Sequence, residues 1–304
     1  MGYKIAMLNK SLLALAVCLM SAPSFAQGTL GDDFNPKLIP IADGVYAYEG
    51  PLHLPGEDEI VRTNSLVVVT DEGVVVVDGQ DNVEEAERML DAIGEVTDQP
   101  VTYLINASPH GDHVNGNAVF ADATIVAQER AKEVMVEAGV SHLPGITFSS
   151  EMSLHIGGRD FELYYFGPAH TPGDTIVYLP EERIAFLSEV YFNGVFTSLV
   201  DGFAVSHLNV LQLVKALDAE WFIPGHGIID GQSAEDLRAG LDVYHDNVRA
   251  VHDAVRRHVD AGDSLEETMA AIDGELGEFT AIPFYEFLKP RSVESTYKAL
   301  SESK

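Results

Sequence analysis

The stretch Ser108-Pro109-His110-Gly111-Asp112-His113 places two imidazoles and a carboxylate within four residues. Neutral imidazole and carboxylate are ligands taken by a borderline divalent cation such as zinc, so metal binding is the chemistry on offer. Pro109 fixes φ just before the first imidazole, and Gly111 removes a side chain where the backbone must bend. The stretch therefore reads as a rigid, kinked loop rather than a helix face, although a solvated polar turn would use the same residues. Three later stretches bear on the choice. Gly167-Pro168-Ala169-His170-Thr171-Pro172-Gly173-Asp174 sets His170 in a Gly/Pro turn, Phe186-Leu187-Ser188-Glu189 ends an apolar run in a carboxylate, and Phe222-Ile223-Pro224-Gly225-His226-Gly227 holds His226 between glycines. Each alone has a structural explanation; four metal-capable stretches, all at strand ends, point to a shared purpose.

Those strands can be read from the pattern around them. An apolar run over 101–105 leads into the first stretch, and β-rich segments at 44–48, 60–70 and 74–78 precede it. Val74 to Val77 is uninterrupted, which predicts a strand buried on both faces. Helical spacing of Ala86, Met89, Leu90 and Ile93 predicts a helix over 83–96. A strand near 123–127, a helix over 129–138 and three or four strands between 146 and 189 follow. Helices over 208–217 and 234–259 flank a strand at 221–223, and shorter helices are expected near 265–272 and 293–300. Strands and helices thus come in two successive sets, and two sheets packed face to face with helices outside would bury them.

The chain has 304 residues, 46% hydrophobic and 22% charged, with 26 Gly and 14 Pro, as expected of a soluble globular protein of one large or two small domains. Residues 1–26 read as a secretory signal peptide. Lys4 and Lys10 give a basic start, a short apolar core follows, and Ser24-Phe25-Ala26 supplies small residues before a cleavage point. The expected location is periplasmic or secreted, with no membrane span in the mature form. Cys18 is the only cysteine, so residues 27–304 hold no disulfide or thiolate zinc site, and a metal there must be held by His, Asp, Glu or water. Loss of two lysines and no acid with the signal segment would take the formal charge from -30 to -32. Such a surface repels phosphate backbones and anionic lipid, so the acidity reads as solubility and argues against a nuclease.

In combination, the hairpin ending in Asp78, the Ser-x-His-x-Asp-His loop, the His-Thr-x-Gly turn, the strand ending in an acid and the Pro-Gly-His-Gly stretch resemble the metallo-β-lactamase fold superfamily. The resemblance covers nearly all of residues 27–304, taken as one domain. It implies an α+β fold, an αββα sandwich of two packed mixed β-sheets with helices on both outer faces and the site along one edge of the sheets. By position it implies His110 and His170 at a first metal site, Asp112, His113 and His226 at a second, and Glu189 in the place of the bridging acid. Asp78 matches the buried acid that supports the metal loop. Two positions depart from the family pattern: Ser108 stands where a His is usual, and Glu189 where an Asp is usual. The extra reach of Glu189 would complete a two-His-one-Glu set with His110 and His170.

The implied reaction is hydrolysis of an ester, thioester, lactone or lactam by metal-activated water, with one or two Zn2+ ions and with Asp112 as ligand and proton acceptor. Iron also suits His and carboxylate, so an iron-dependent oxygenase on the same fold is one alternative. A binding protein with a degenerate metal site, suggested by Ser108, is another. The loop over 52–58 falls near where the resemblance places a substrate-covering flap, with Leu and Pro residues to pack on an apolar ligand, though a plain hairpin loop is the preferred description; the segment 191–206, with Phe192, Phe196 and Phe203, is either a pocket wall or core. No Lys or Arg lies beside the motifs to clamp a substrate carboxylate. His245, His252 and His258 are expected on a solvated helix face, and His207 near a helix cap.

Overall fold

The structure, a computed structural model, describes residues 34–303; the expected signal segment, with Cys18, lies outside them. The first sheet runs β1 (Lys37–Ala42), β2 (Val45–His53), β3 (Ile60–Thr70), β4 (Gly73–Val77), β5 (Val101–Asn106), β6 (Thr124–Gln128) and β7 (Ile146–Phe148) in spatial order. It is antiparallel as far as β4 and parallel from β4 to β7. The parallel steps need crossovers, made by α1 (Val83–Gly94), a single helical turn α2 (Gly111–Val114) and α3 (Glu129–Ala138). The second sheet contains β8 (Glu151–Ile156), β9 (Arg159–Tyr164), β10 (Ile176–Leu179) and β11 (Ile184–Phe186). After a short β12 (Phe192–Asn193) it is completed by β13 (Trp221–Ile223), which pairs parallel with β11. Its order is β13-β11-β10-β9-β8. The short β14 (His226–Gly227) returns to the first sheet, pairing with β12 and with β3. Helices α4 (Ala204–Lys215), α5 (Ala234–Ala261), α6 (Leu265–Leu276) and α7 (Tyr285–Glu302) follow the second sheet.

Period-2 alternation builds three layers of core from these strands. Leu66, Val68, Val75, Val77 and Ile105 point between the sheets, where they meet Phe161, Leu163, Val177, Leu179 and Phe186. Their neighbours Val67, Val74, Val76 and Leu104 point outward onto Ala86, Met89 and Ile93 of α1. On the far side, Ile176, Ala185 and Phe222 face Val210, Leu211, Leu241 and Val248 of α4 and α5. Helices therefore cover both outer faces of two mixed sheets, the αββα arrangement expected. The continuous valine run of β4 is fully buried, because both of its faces are covered.

Several segments differ from the reading of the sequence. β1 was not expected; its burial alternates only weakly. The Gly111–Val114 segment is a helical turn rather than a loop, capped by extended His110. α4 begins at Ala204, so His207 lies inside it, fully buried, with Nε2 donating to the Val190 carbonyl at 2.9 Å; it is not a cap residue. α7 runs through Pro290, which removes one backbone donor. The buried face of Tyr285, Leu288, Val293 and Leu300 carries the helix across that gap. His245 is buried rather than solvated, 5% exposed.

Candidate metal centre

All six residues expected to bind metal converge at one edge of the sandwich. β5 delivers the chain to Ala107 and Ser108, and the α2 turn brings Asp112 and His113 to the same side. Glu189 does not end a strand: it lies three residues past β11, in the 3-10 turn Ser188–Val190. His226 is held in β14, between β12 and β3. Glycine is required beside it. A Cβ on Gly225 would lie 2.3 Å from the Ser188 carbonyl carbon, and Gly227 has φ +93 with its would-be Cβ 1.9 Å from the Asn193 oxygen. The strand holding His226 and the turn holding Glu189 thus touch backbone to backbone.

The donor atoms form two groups that share one carboxylate. His110, His170 and Glu189 make one; Asp112, His113, His226 and Glu189 make the other, with ligand atoms in each group all within 4.8 Å of one another. Glu189 Oε1 lies 3.2 Å from His170 Nε2 and 3.6 Å from His226 Nε2. His110 Nδ1 sits 3.0 Å from Glu189 Oε1 and 2.9 Å from Oε2. Asp112 Oδ2 is 3.3 Å from His226 Nε2 and 3.5 Å from His113 Nε2. Ser108 donates its hydroxyl to Glu189 Oε2.

Three of the rings are oriented from behind. His113 Nδ1 donates to Asp78 Oδ2 at 2.9 Å, His226 Nδ1 to the Arg62 carbonyl at 2.9 Å, and His170 Nδ1 to the Ser198 carbonyl at 2.7 Å. Each bond leaves the Nε2 lone pair of a neutral ring facing inward, as second-sphere partners do in metal sites. Asp78 is further held by the Ala107 N–H at 2.7 Å and the Ser188 hydroxyl at 2.6 Å. The sequence placed Asp78 in this role through family resemblance. Ser188, inside a stretch already singled out, was missed. The Arg62 and Ser198 carbonyls had no sequence signal, because backbone groups are blind to residue type. Phe192 was expected in a wall or in the core; it is 5% exposed and packs its ring against His170 and His226, with centroids 5.2 and 4.7 Å away. Phe196 is core.

The electrostatics are those of a cluster that needs a cation. Burial pulls His226 down, but hydrogen bonds to Asp112 and Glu189 and their charges raise it to about 10. Burial likewise opposes the charge on His110, and Glu189 and Asp112 overcome it, again to about 10. Burial would push Glu189 up, yet the His110 and His170 rings hold it well below the usual carboxylate range. Asp112 is lowered against its burial by His113 and His226. Without an ion, protonated imidazoles must supply the positive charge. The donor set of nitrogen and carboxylate oxygen, with inward lone pairs 3.3 Å apart on His113 and His226, fits a divalent zinc- or iron-like ion.

The geometry agrees with what comparison with known proteins finds. The family model for the metallo-beta-lactamase superfamily matches residues 59–226. The 2,4-dinitroanisole O-demethylase subunit alpha of Nocardioides sp. (strain JS1661) is 30% identical over 210 residues, 67% of this chain and 63% of that protein; the chain thus spans less than two thirds of this relative's length. The metallo-beta-lactamase type 2 of Bacteroides fragilis is 22% identical over 232 residues, 73% of this chain and 91% of that protein. Among solved structures, a metallo-beta-lactamase from Pontibacter korlensis superposes with TM-score 0.61 at 23% identity, covering 70% of this chain and 100% of that one. The matched span takes in more than half of the 304 residues and all six converging side chains, and the chain belongs to the metallo-beta-lactamase superfamily.

Proposed function

We propose that the chain is an exported metal-dependent hydrolase of small molecules, acting as one domain over residues 27–304, on an ester, thioester, lactone or lactam. The observation that carries this reading is the pair of donor groups sharing Glu189, with three rings tethered so that their Nε2 atoms face inward. His110, His170 and Glu189, and Asp112, His113, His226 and Glu189, would hold a divalent ion, which when bound would supply Lewis acidity toward water and a carbonyl oxygen. The protein's own part is positional. His113, His226 and His170 are fixed by their Nδ1 bonds, and Glu189 spans both groups. Asp112, with 17% of its side chain exposed, lies at the accessible side of its group, where it accepts a proton from attacking water.

The substrate reading rests on what the site lacks. Among the described residues, the ion-pair partners of Asp112 and Glu189 are histidines, with no Lys or Arg. Arg62, whose backbone borders the site, is paired with Glu49 at 3.0 Å. Leu52 and Leu54, at the end of the β2–β3 hairpin, are apolar and half-buried. These features favour an uncharged substrate over one carrying a carboxylate. The name of the Nocardioides relative adds an aryl methyl ether to the compounds worth testing.

The deciding experiment assays purified protein, of measured metal content, against chromogenic lactone, thioester, β-lactam and aryl ether substrates, with and without added zinc. Turnover of an uncharged substrate that stops on chelation is expected. Silence across the panel with metal bound would favour a binding protein or a substrate outside these four classes. Iron in protein isolated without added zinc would favour the oxygenase.

A further inference from the structure

A single peptide unit joins the metal centre to a helix that lies outside the family-matched span. The carbonyl of Ser198 accepts from His170 Nδ1 at 2.7 Å, and the N–H of the same peptide, on Leu199, donates to Ser292 Oγ at 3.1 Å. Ser292 is on α7, is fully buried, and donates its hydroxyl in a hydrogen bond to the Thr197 carbonyl at 2.8 Å. The family-matched residues end at 226, and α7 begins at Tyr285. A peptide group is planar and rigid, so its C=O cannot rotate toward or away from His170 without its N–H rotating against Ser292. Hydrogen bonds in series also polarise one another, so each end strengthens the other.

We infer that Ser292 is a positioning residue for His170, fixing its ring through the Ser198–Leu199 peptide and thereby setting the metal affinity of the His110, His170 and Glu189 group. This rests on the metal-centre reading above. No other polar side chain among the described residues is bonded to that peptide. The segment bearing it is docked on α7 and its approach elsewhere too: the Phe196 N–H donates to the Pro283 carbonyl at 3.0 Å, Phe196 packs edge-on against Tyr285, and Ser295 donates to the Leu199 carbonyl. These contacts hold the loop but do not touch the peptide facing His170. That difference separates positioning from general support.

Co(II) titration of metal-free protein, followed by visible absorption and calorimetry, tests the inference. Wild type is expected to bind two ions. Ser292→Ala should weaken one of the two by about tenfold, the lower end of what outer-sphere partners contribute, and leave the other unchanged. Ser292→Thr, which keeps the hydroxyl, should restore the wild-type value. It also serves as the informative variant if the alanine form does not fold, since weakened binding in a folded Thr form would count against the inference. Ser295→Ala removes a bond to the neighbouring peptide and should leave both affinities as in wild type. Equal affinities in wild type and Ser292→Ala, or equal losses in Ser292→Ala and Ser295→Ala, would overturn the inference while leaving the metal centre intact. A wild-type protein that takes up no Co(II) would overturn both.

Discussion

The hydroxyl of Ser108 donates to Glu189 Oε2, while Oε1 of the same carboxylate faces His170 and His226. Ser108 and Glu189, 81 residues apart in the chain, therefore meet behind the two donor groups, and the serine hydroxyl holds the carboxylate from its outer oxygen.

From this pairing, Glu189→Ala is expected to lower metal stoichiometry, because the carboxylate belongs to both donor groups. Ser108→Ala should be milder, costing about 1.5–3 kcal/mol for a hydrogen bond to a charged, buried acceptor, with stoichiometry kept. Ser108→His should bind poorly alone and recover when combined with Glu189→Asp, which withdraws one methylene. Metal analysis of the purified variants, with denaturation curves, checks all four. An unchanged metal content in Glu189→Ala would remove Glu189 from the centre.

Asp78 is the hub behind the centre, accepting from His113 Nδ1, the Ala107 N–H and the Ser188 hydroxyl, with no exposed surface. Replacement by Ala leaves three buried donors unpaired and should cost about 3–5 kcal/mol, the range for breaking a buried charged pair. Asp78→Asn retains one acceptor and should fold, with metal binding weaker by roughly 10–100-fold. Calorimetric titration of the Asn form gives the direct measure.

How much of this was visible beforehand follows from which interactions depend on residue type. Valine alternation and the four His- or acid-bearing stretches are side-chain patterns, so the two-sheet core and the six converging residues were legible. β1 was not, because its burial pattern lacks the alternation that marks a strand. The reach of α7 was hidden by Pro290, which reads as a helix breaker but here interrupts only one bond in a helix held by its buried face. The carbonyls of Arg62 and Ser198 were invisible in principle, since every residue has one and only the fold selects which faces a ring.

Backbone contact between the Glu189 turn and the His226 strand makes Gly225 a sensitive position. A methyl there would sit 2.3 Å from the Ser188 carbonyl carbon and 2.4 Å from its oxygen, atoms that cannot swing aside as a side-chain end would. Gly225→Ala should cost about 1–3 kcal/mol and spread the two halves of the centre, lowering metal affinity as well as melting temperature. Retained affinity with reduced stability would show that the strain is absorbed away from His226.

Asp112→Ala and His113→Ala are each expected to abolish turnover while leaving the fold intact, as judged by circular dichroism. Asp112 contacts ring nitrogens rather than the core, and Asp78 keeps two other donors when His113 is lost. A variant that retains activity would take that residue out of the reaction.

Metal-free and metal-loaded protein should respond to pH in opposite senses. In the metal-free form His110 and His226 stand at about 10, above their ordinary 6.5, so the stability they contribute is complete below 6.5 and is lost as pH rises towards 10. Glu189 and Asp112 are lowered, so their contribution is present above 4.5 and 3.8 and fails only as pH falls through their depressed values. Metal-free protein should accordingly be most stable between about 4.5 and 6.5 and soften steadily above that. Metal binding needs the imidazoles deprotonated, so the stabilisation from zinc should instead grow as pH rises. Melting temperatures of chelated and zinc-loaded samples across pH 6 to 9 should diverge, and parallel curves would mean that these rings do not take up the ion.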